Sequence, residues 1–256
     1  MLTEERLQKI LELVEVNKSV SIQMLMDKLG ISESTARRDL KMLDEKGKLD
    51  KVRGGAIVKD STYSTKDDTV SHRKLKNPKE KRMIAKYAAS LIEPNDFVYL
   101  DAGTTTEFVI DYLTEKNAVF VTNAVSHAKK LSEAGYQTYI LGGEFKVATE
   151  AIVGDEAVAS LQKYNFTKGF FGTNGVSLHA GFSTPDLKEA MVKKNAMMQS
   201  AKCFILSDQS KFSQISCVKF SDFANADIIT TEVAAEEFSH CSNIVEVIRS
   251  DIYSDI

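Results

Sequence analysis

The residues in this sequence that could do chemistry fall into two groups. In ISESTARRDLKML, residues 31–43, Ser34, Arg37, Arg38 and Lys41 recur at i, i+3, i+4 and i+7, so a helix would carry them as one stripe. Such a stripe suits a polyanion, because its cations neutralise phosphates and an arginine can pair with the edge of a guanine. The second group lies in LDAGTTT, where Asp101, Gly103, Thr104, Thr105 and Thr106 follow an apolar run and lead into a helix. A glycine turn with three hydroxyls offers N–H donors and the positive end of a helix dipole to a small anion. It lacks the Gly-Lys-Ser/Thr of a nucleotide P-loop and the G-x-G-x-x-G spacing of a dinucleotide site, so nucleotides are disfavoured.

Further polar turns follow apolar runs of strand length. They are Thr122-Asn123, Gly142-Gly143, the GTNG of residues 172–175 with Asn174 and Gly175, and Ser207-Asp208 with Lys211 close behind. Asp186, Glu189 and Lys193 lie at i, i+3 and i+7 and share one helix face. Any one of these turns is equally a cap or a plain turn. Gathered on one rim of a sheet, they supply donors, carboxylates and a lysine, which match a small phosphorylated polyol.

Elements must exist to position these groups. Ile22, Leu25, Met26 and Leu29 repeat at helical spacing from a Ser21 cap to a Gly30 stop, and Ser32 stands as the cap of the next helix. That second helix has Ala36, Leu40 and Leu43 on its apolar side. Two short helices across so tight a turn are a helix-turn-helix, whose second member can enter a major groove. A first helix over residues 4–16 adds Leu7, Ile10, Leu11 and Val14 to the shared core. Residues 47–58, GKLDKVRGGAIV, read as a hairpin with Lys48, Lys51 and Arg53 placed for phosphates, which makes the unit a winged helix.

Residues 59–77 are polar and aperiodic and read as a linker. A helix over 78–91 opens with Lys79, Lys81 and Arg82, a positive start that its own dipole disfavours; it reads first as a solvated face, with an anionic partner nearby as the alternative. Beyond it, strands are expected at 97–100, 119–122, 138–141, 168–171, 203–206, 227–229 and 245–248. Helices are expected at 106–113, 124–134, 155–161, 186–199 and 234–240. This alternation predicts a mainly parallel sheet with helices on both faces and ligands at the carboxyl ends of its strands. The expected organisation is thus α/β overall: a DNA-binding domain at 1–58, a linker at 59–77 and an effector domain at 78–256.

Bulk properties agree with two soluble domains. The chain has 256 residues, enough for two cores without metal or disulfide staples. Residues 1–82 hold 19 Lys and Arg against 14 Asp and Glu, while residues 83–256 hold 14 against 22. A basic head on an acidic body suits a polyanion-binding head. Cys203, Cys217 and Cys241 are widely spaced and the four histidines are scattered, so neither a metal site nor any cofactor is expected. No apolar run approaches membrane-spanning length, which points to a reducing cytoplasm and no membrane partner.

SESTARRDLKMLDEKG followed by KVRGGA resembles the N-terminal signature of the DeoR family of bacterial sugar-catabolism repressors. LDAGTTT, VTN, LGG, GTNG, TPD-x-x-E and D-x-SKF resemble its effector domain, and the likeness runs through nearly the whole chain in order. Ala36 stands where the family commonly has Ile, and Arg53 where it usually has His. The resemblance implies an effector domain similar to the ribose-5-phosphate isomerase and CoA transferase fold, with a phosphorylated sugar as ligand. GTNGVSLHAGFSTPD most resembles repressors of fructose operons, which implies fructose 1-phosphate. A homo-oligomer, at least a dimer, would grip double-stranded operator DNA through Ser32, Ser34, Thr35, Arg37, Arg38 and Lys41, with Lys48, Lys51 and Arg53 on phosphates. In the effector domain the loop of Gly103, Thr104, Thr105 and Thr106, with Lys211, would hold the phosphate. Asp101, Thr122, Asn123, Gly142, Gly143, Asn174, Gly175, Asp186 and Glu189 would face the sugar. The alternative is a sugar-phosphate isomerase-like enzyme using Asp101, Asp186, Glu189 and Lys211 for proton transfer.

Overall fold

Three amphipathic stripes, each too narrow to be stable alone, close on one another at the N-terminus. In the computed structural model, which describes residues 3–17, 19–52, 54–57, 63–64, 69–233 and 236–247, these are α1 (Thr3–Asn17), α2 (Ile22–Leu29) and α3 (Glu33–Glu45). Leu7, Ile10, Val14, Leu25, Ala36, Leu40 and Leu43 form their common core. Ser21 and Ser32 cap α2 and α3 as expected, accepting from the N–H groups of Met24 and Thr35, and Gly30 ends α2 in the left-handed region at φ +63°. A further tie was not legible: Asp39 of α3 is buried, and Arg6 of α1 places Nε 2.6 Å from its carboxylate.

The wing is a three-stranded antiparallel sheet in the order β1-β3-β2, with β1 at Ser19–Ser21, β2 at Asp50–Val52 and β3 at Gly55–Ile57. Strand β1, only three residues long, shows no periodicity to read. The glycine pair has two separate reasons. Gly54 sits at φ +91°, and a Cβ on Gly55 would fall 2.0 Å from the Val20 carbonyl oxygen. Met1–Ser61 forms one compact unit and Thr62–Ile256 another.

The second unit begins with the short strand β4 (Tyr63–Ser64) and the helix α4 (Val70–Leu75). The expected linker therefore contains a helix, capped by the Thr69 hydroxyl and held by a Lys74–Glu107 ion pair of 2.9 Å rather than by apolar burial. After α5 (Pro78–Ser90) the chain alternates β5 (Phe97–Leu100), α6 (Thr104–Val109), β6 (Val119–Thr122), α7 (Val125–Glu133) and β7 (Gln137–Ile140). A hairpin of β8 (Glu144–Lys146) and β9 (Ala151–Val153) leads to α8 (Asp155–Leu161) and β10 (Phe166–Gly172). There follow β11 (Gly175–Ser177), β12 (Gly181–Thr184), α9 (Leu187–Met198) and β13 (Ser200–Leu206). The described chain closes with β14 (Ile215–Ser216), β15 (Val218–Ser221), β16 (Asp227–Thr230) and β17 (Ile244–Glu246).

Seven of these strands form one sheet in the order β17-β16-β13-β10-β5-β6-β7, and every neighbouring pair is parallel. Alternate side chains serve opposite faces. Val98, Leu100, Phe170 and Phe204 join the core under α5, while Tyr99, Phe171 and Ile205 join the one under α9. The expected last helix is a single 3-10 turn at Glu236–Phe238; residues 53, 58, 234, 235 and 248 of the expected elements and 59–62 and 65–68 of the expected linker lie outside the described residues. Among the described residues no helix is long and apolar enough to cross a membrane.

Candidate functional site

The sheet order creates the site. From β5 the chain runs outward to β6 and β7, then crosses back to lay β10 on the other side of β5. The loops leaving β5 and β10 therefore diverge, and a crevice opens between the carboxyl ends of those two strands. A cavity there is lined by Ala102, Gly103, Thr104 and Thr105 after β5 and by Gly172, Thr173 and Asn174 after β10. Ser207, Asp208, Ser210 and Lys211 close it from beyond β13, and Glu189 and Lys193 rise from α9. The last wall is cationic, made of Arg73 and Lys76 at α4 and Lys81 of α5.

Five cations thus face two carboxylates; both carboxylates are already engaged, and one of the cations, Lys193, is itself paired with the buried Asp101 just behind the lining. Glu189 accepts from Thr149 Oγ1 at 2.6 Å and from Lys146 Nζ at 3.0 Å. Burial alone would raise its carboxyl, but Lys193, Thr149 and Lys146 hold it below the usual range. Asp208 accepts from Asn77 Nδ2 at 2.9 Å and from the Ser210 N–H at 3.0 Å. Lys81 is 5% exposed and donates to the Arg73 carbonyl and to Thr104 Oγ1 at 3.2 Å. Burial pushes its ammonium down to about 8; Asp208 opposes the shift, while Lys211, Arg73 and Lys76 add to it. Arg73 Nε is buried without a hydrogen-bond partner. Helix α6 has only six residues before a 3-10 turn, so the positive potential comes from side chains far more than from a helix dipole.

The N-terminal unit presents a different surface. Ser34, Arg37, Arg38 and Lys41 are all exposed along α3, opposite the buried Ala36 and Leu40. Arg37 is held by Glu33 one turn earlier, with N–O distances of 2.6 and 2.9 Å, whereas among the described residues no carboxylate pairs with Arg38. Ser32 is occupied as the cap and also meets Ser34 Oγ and Thr35 Oγ1. Lys48 and Lys51 are exposed beside β2, and the Lys51 N–H is tied to Asp44 of α3. Arg53 lies outside the described residues.

Residues 6–62 match the model of the DeoR-like helix-turn-helix domain, and residues 76–233 match that of the DeoR C-terminal sensor domain. The chain belongs to the DeoR family. Among DeoR-type relatives, it is 42% identical to the uncharacterized HTH-type transcriptional regulator FruR of Bacillus subtilis, over 97% of this chain and all of that one. It is 34% identical to the lactose phosphotransferase system repressor of Staphylococcus aureus, over 91% and 93% of the two chains. Its sensor unit shows a slight likeness to ribose 5-phosphate isomerase from Plasmodium falciparum, with a TM-score of 0.39 and 16% identity over 52% of each chain. DeoR membership places the chain among DNA-binding transcriptional regulators rather than enzymes.

Within this DeoR sensor unit the structure sorts the expected ligand residues. Gly103, Thr104, Thr105, Asn174, Glu189 and Lys211 meet at the cavity. Others shape the rim from behind it. Thr106 is buried and donates to the carbonyls of Asp101 and Gly103. Asp101 is buried against Lys193 and the Gly172 N–H, and Thr122 accepts from the Ala124 N–H. Asn123 spends its amide on the Ala102 N–H and the Ile152 carbonyl, so it braces the loop instead of reading a hydroxyl. Asp186 caps α9 and pairs with Lys146 at 3.1 Å. Gly142 and Gly143 belong to the β7–β8 turn, and Gly175 packs under the Gln214 carbonyl; none of the three lines the cavity.

Four cations were absent from the expected set. Lys193 was legible in part, since it follows Glu189 by one helical turn. Lys81 was read as a solvated charge, and its burial overturns that reading. Arg73 and Lys76 lie where the sequence looks like a linker, and nothing local marks them.

Proposed function

We propose that this regulator represses a sugar-catabolism operon, that of fructose, and leaves its operator when a phosphorylated sugar such as fructose 1-phosphate fills the sensor cavity. The carrying observation is the set Arg73, Lys76, Lys81, Lys193 and Lys211 around the hydroxyls of Thr104 and Thr105. A phosphate monoester dianion is the small metabolite group that such a set complements, since each N–H to a charged oxygen is roughly twice as strong as a neutral hydrogen bond. Asn174 and Ser210 line the same cavity and offer amide and hydroxyl groups of the kind that pair with sugar hydroxyls. Its relatives, a FruR regulator and a lactose phosphotransferase system repressor, support a sugar operon.

On the DNA side, Ser34, Thr35, Arg37 and Arg38 face base edges, and Lys41, Lys48, Lys51 and Arg53 face phosphates. A homo-oligomer, at least dimeric, sets two such helices on two half-sites. The test is a mobility-shift or anisotropy titration on the promoter beside the regulator's own gene, repeated with a panel of phosphorylated sugars. Tight salt-dependent binding that fructose 1-phosphate weakens is the expected result. Binding unchanged by every sugar phosphate refutes the effector reading.

A further inference from the structure

The cavity has one wall unlike the others. Gly103 to Thr105, Asn174 and Ser207 to Lys211 sit on loops rooted in the parallel sheet, but Arg73 and Lys76 come from α4. No residue of α4 is buried, and Leu75 is 79% exposed. Polar bonds hold α4 to the body, among them Val70 N–H to the Ala148 carbonyl at 3.3 Å, the Lys74–Glu107 pair, and Lys81 Nζ to the Arg73 carbonyl. A helix secured in this way belongs to the low-stability end of a fold. Arg73 and Lys76 also press on the Lys81 ammonium, and like charges brought together oppose docking.

The place of α4 in the chain gives this weakness a use. The N-terminal unit ends at Ser61, and the next described elements are β4 and α4. Strand β4 pairs with β14, four residues past Lys211, and α4 supplies Arg73 and Lys76. The chain arriving from the DNA-binding unit is therefore fastened first at β14 and then, through α4, at the cavity itself.

We propose that Arg73 is an anion ligand carried on the segment that joins the two units, and that a phosphate bridging Arg73 to Thr104, Lys81 and Lys211 docks α4. The buried, partnerless Nε of Arg73 is a donor ready for such an oxygen. The anion also removes the repulsion among the cations, so α4 is firmly seated only when ligand is bound. Ligand occupancy is thereby written into the element through which the DNA-binding unit is attached, which is the differential interaction that coupling requires. The inference rests on the anion-site reading above and adds the route by which that site acts.

Hydrogen–deuterium exchange on the full-length protein tests it, with fructose 1-phosphate and inorganic phosphate as probes. Exchange of amides 70–76 should slow about tenfold or more at saturating ligand, as mass action on a docked state demands. Arg73→Gln should lose that slowing and weaken fructose 1-phosphate about 10–100-fold, the range of one charge-assisted hydrogen bond. Lys74→Gln, which removes the Glu107 pair without touching the cavity, should speed exchange in the free protein and keep the ligand-dependent slowing. If calorimetry shows binding that depends on Lys211 while exchange at 70–76 stays unchanged, or Arg73→Gln binds with native affinity, this inference fails and the effector site stands. No heat from any phosphorylated sugar overturns both.

Discussion

Lys193 of α9 and Asp101 at the end of β5, 92 residues apart in sequence, form a buried ion pair behind the cavity. The carboxylate also takes the Gly172 N–H at 3.0 Å, and the ammonium donates to the Gly172 carbonyl at 3.1 Å. Complete burial pushes the Asp101 carboxyl up, and Lys193 and the Gly172 N–H pull against it. This one contact fixes α9 to both strands of the crevice. Removing either partner leaves an uncompensated charge in the interior, so Asp101→Ala or Lys193→Ala should each cost about 3–5 kcal/mol. Urea unfolding of both single variants and the double variant checks it: the double should cost less than the two singles together.

Arg38 differs from Arg37 although the two are adjacent. Arg37 is already neutralised by Glu33, while Arg38 stands exposed. Arg38→Ala should weaken operator binding by about 1–3 kcal/mol and relax the preference for operator over random duplex, as expected of a base reader. Lys48→Ala should weaken both duplexes alike and reduce the salt slope by about one unit. Titrations at several salt concentrations separate the two outcomes.

Lys81 gives the sensor a pH dependence. Its ammonium is held down to about 8 by burial, and a bound phosphate must raise it again. The sign follows: below pH 8 the lysine is charged with or without ligand, and affinity is fully present. Above pH 8 the free protein loses the proton, so binding must recover it and affinity falls until the raised pKa of the complex is passed. Calorimetry at pH 8.5 in buffers of different ionisation enthalpy should show proton uptake, and Lys81→Met should abolish it.

His127 of α7 is 2% exposed, and its Nδ1 has no partner. Burial pushes its imidazole down to about 3, against a hydrogen bond donated by the ring to the Gly103 carbonyl, which would raise it. The unfolded chain binds a proton near pH 6.5 that the fold refuses, so stability is lost as pH falls from about 6.5 toward 3. The slope from this one group is about 1.4 kcal/mol per pH unit. In His127→Gln that part of the slope should vanish from denaturation curves taken between pH 6 and 4.

Gly55 admits no side chain. A Cβ would meet the Val20 carbonyl at 2.0 Å, so Gly55→Ala must push β3 off β1. The expected cost is about 3 kcal/mol in the N-terminal unit, with DNA binding lost. Heat released by fructose 1-phosphate should be unchanged, because the cavity is built entirely of residues from the other unit.

What the sequence determined by itself is local. Helical spacing of Leu25, Ala36, Leu40 and Leu43, the Ser21 and Ser32 caps and the Gly54-Gly55 turn specify the winged helix, because each depends on residues a few positions apart. Alternating apolar runs announced a parallel sheet, and the cationic stripe of α3 was legible in its charge spacing, although charge alone suits a solvated helix face and only the preceding turn and the wing point it toward DNA. Strand order was not, because it is set by which crossovers pack, and strand order is what puts the crevice between β5 and β10. Only the tertiary structure could therefore send Asn123 and Asp101 to internal partners and bring Arg73, Lys76 and Lys81 to one wall of the cavity. Whether a polar side chain faces a ligand or braces a loop depends on neighbours tens of residues away, and no local pattern encodes them.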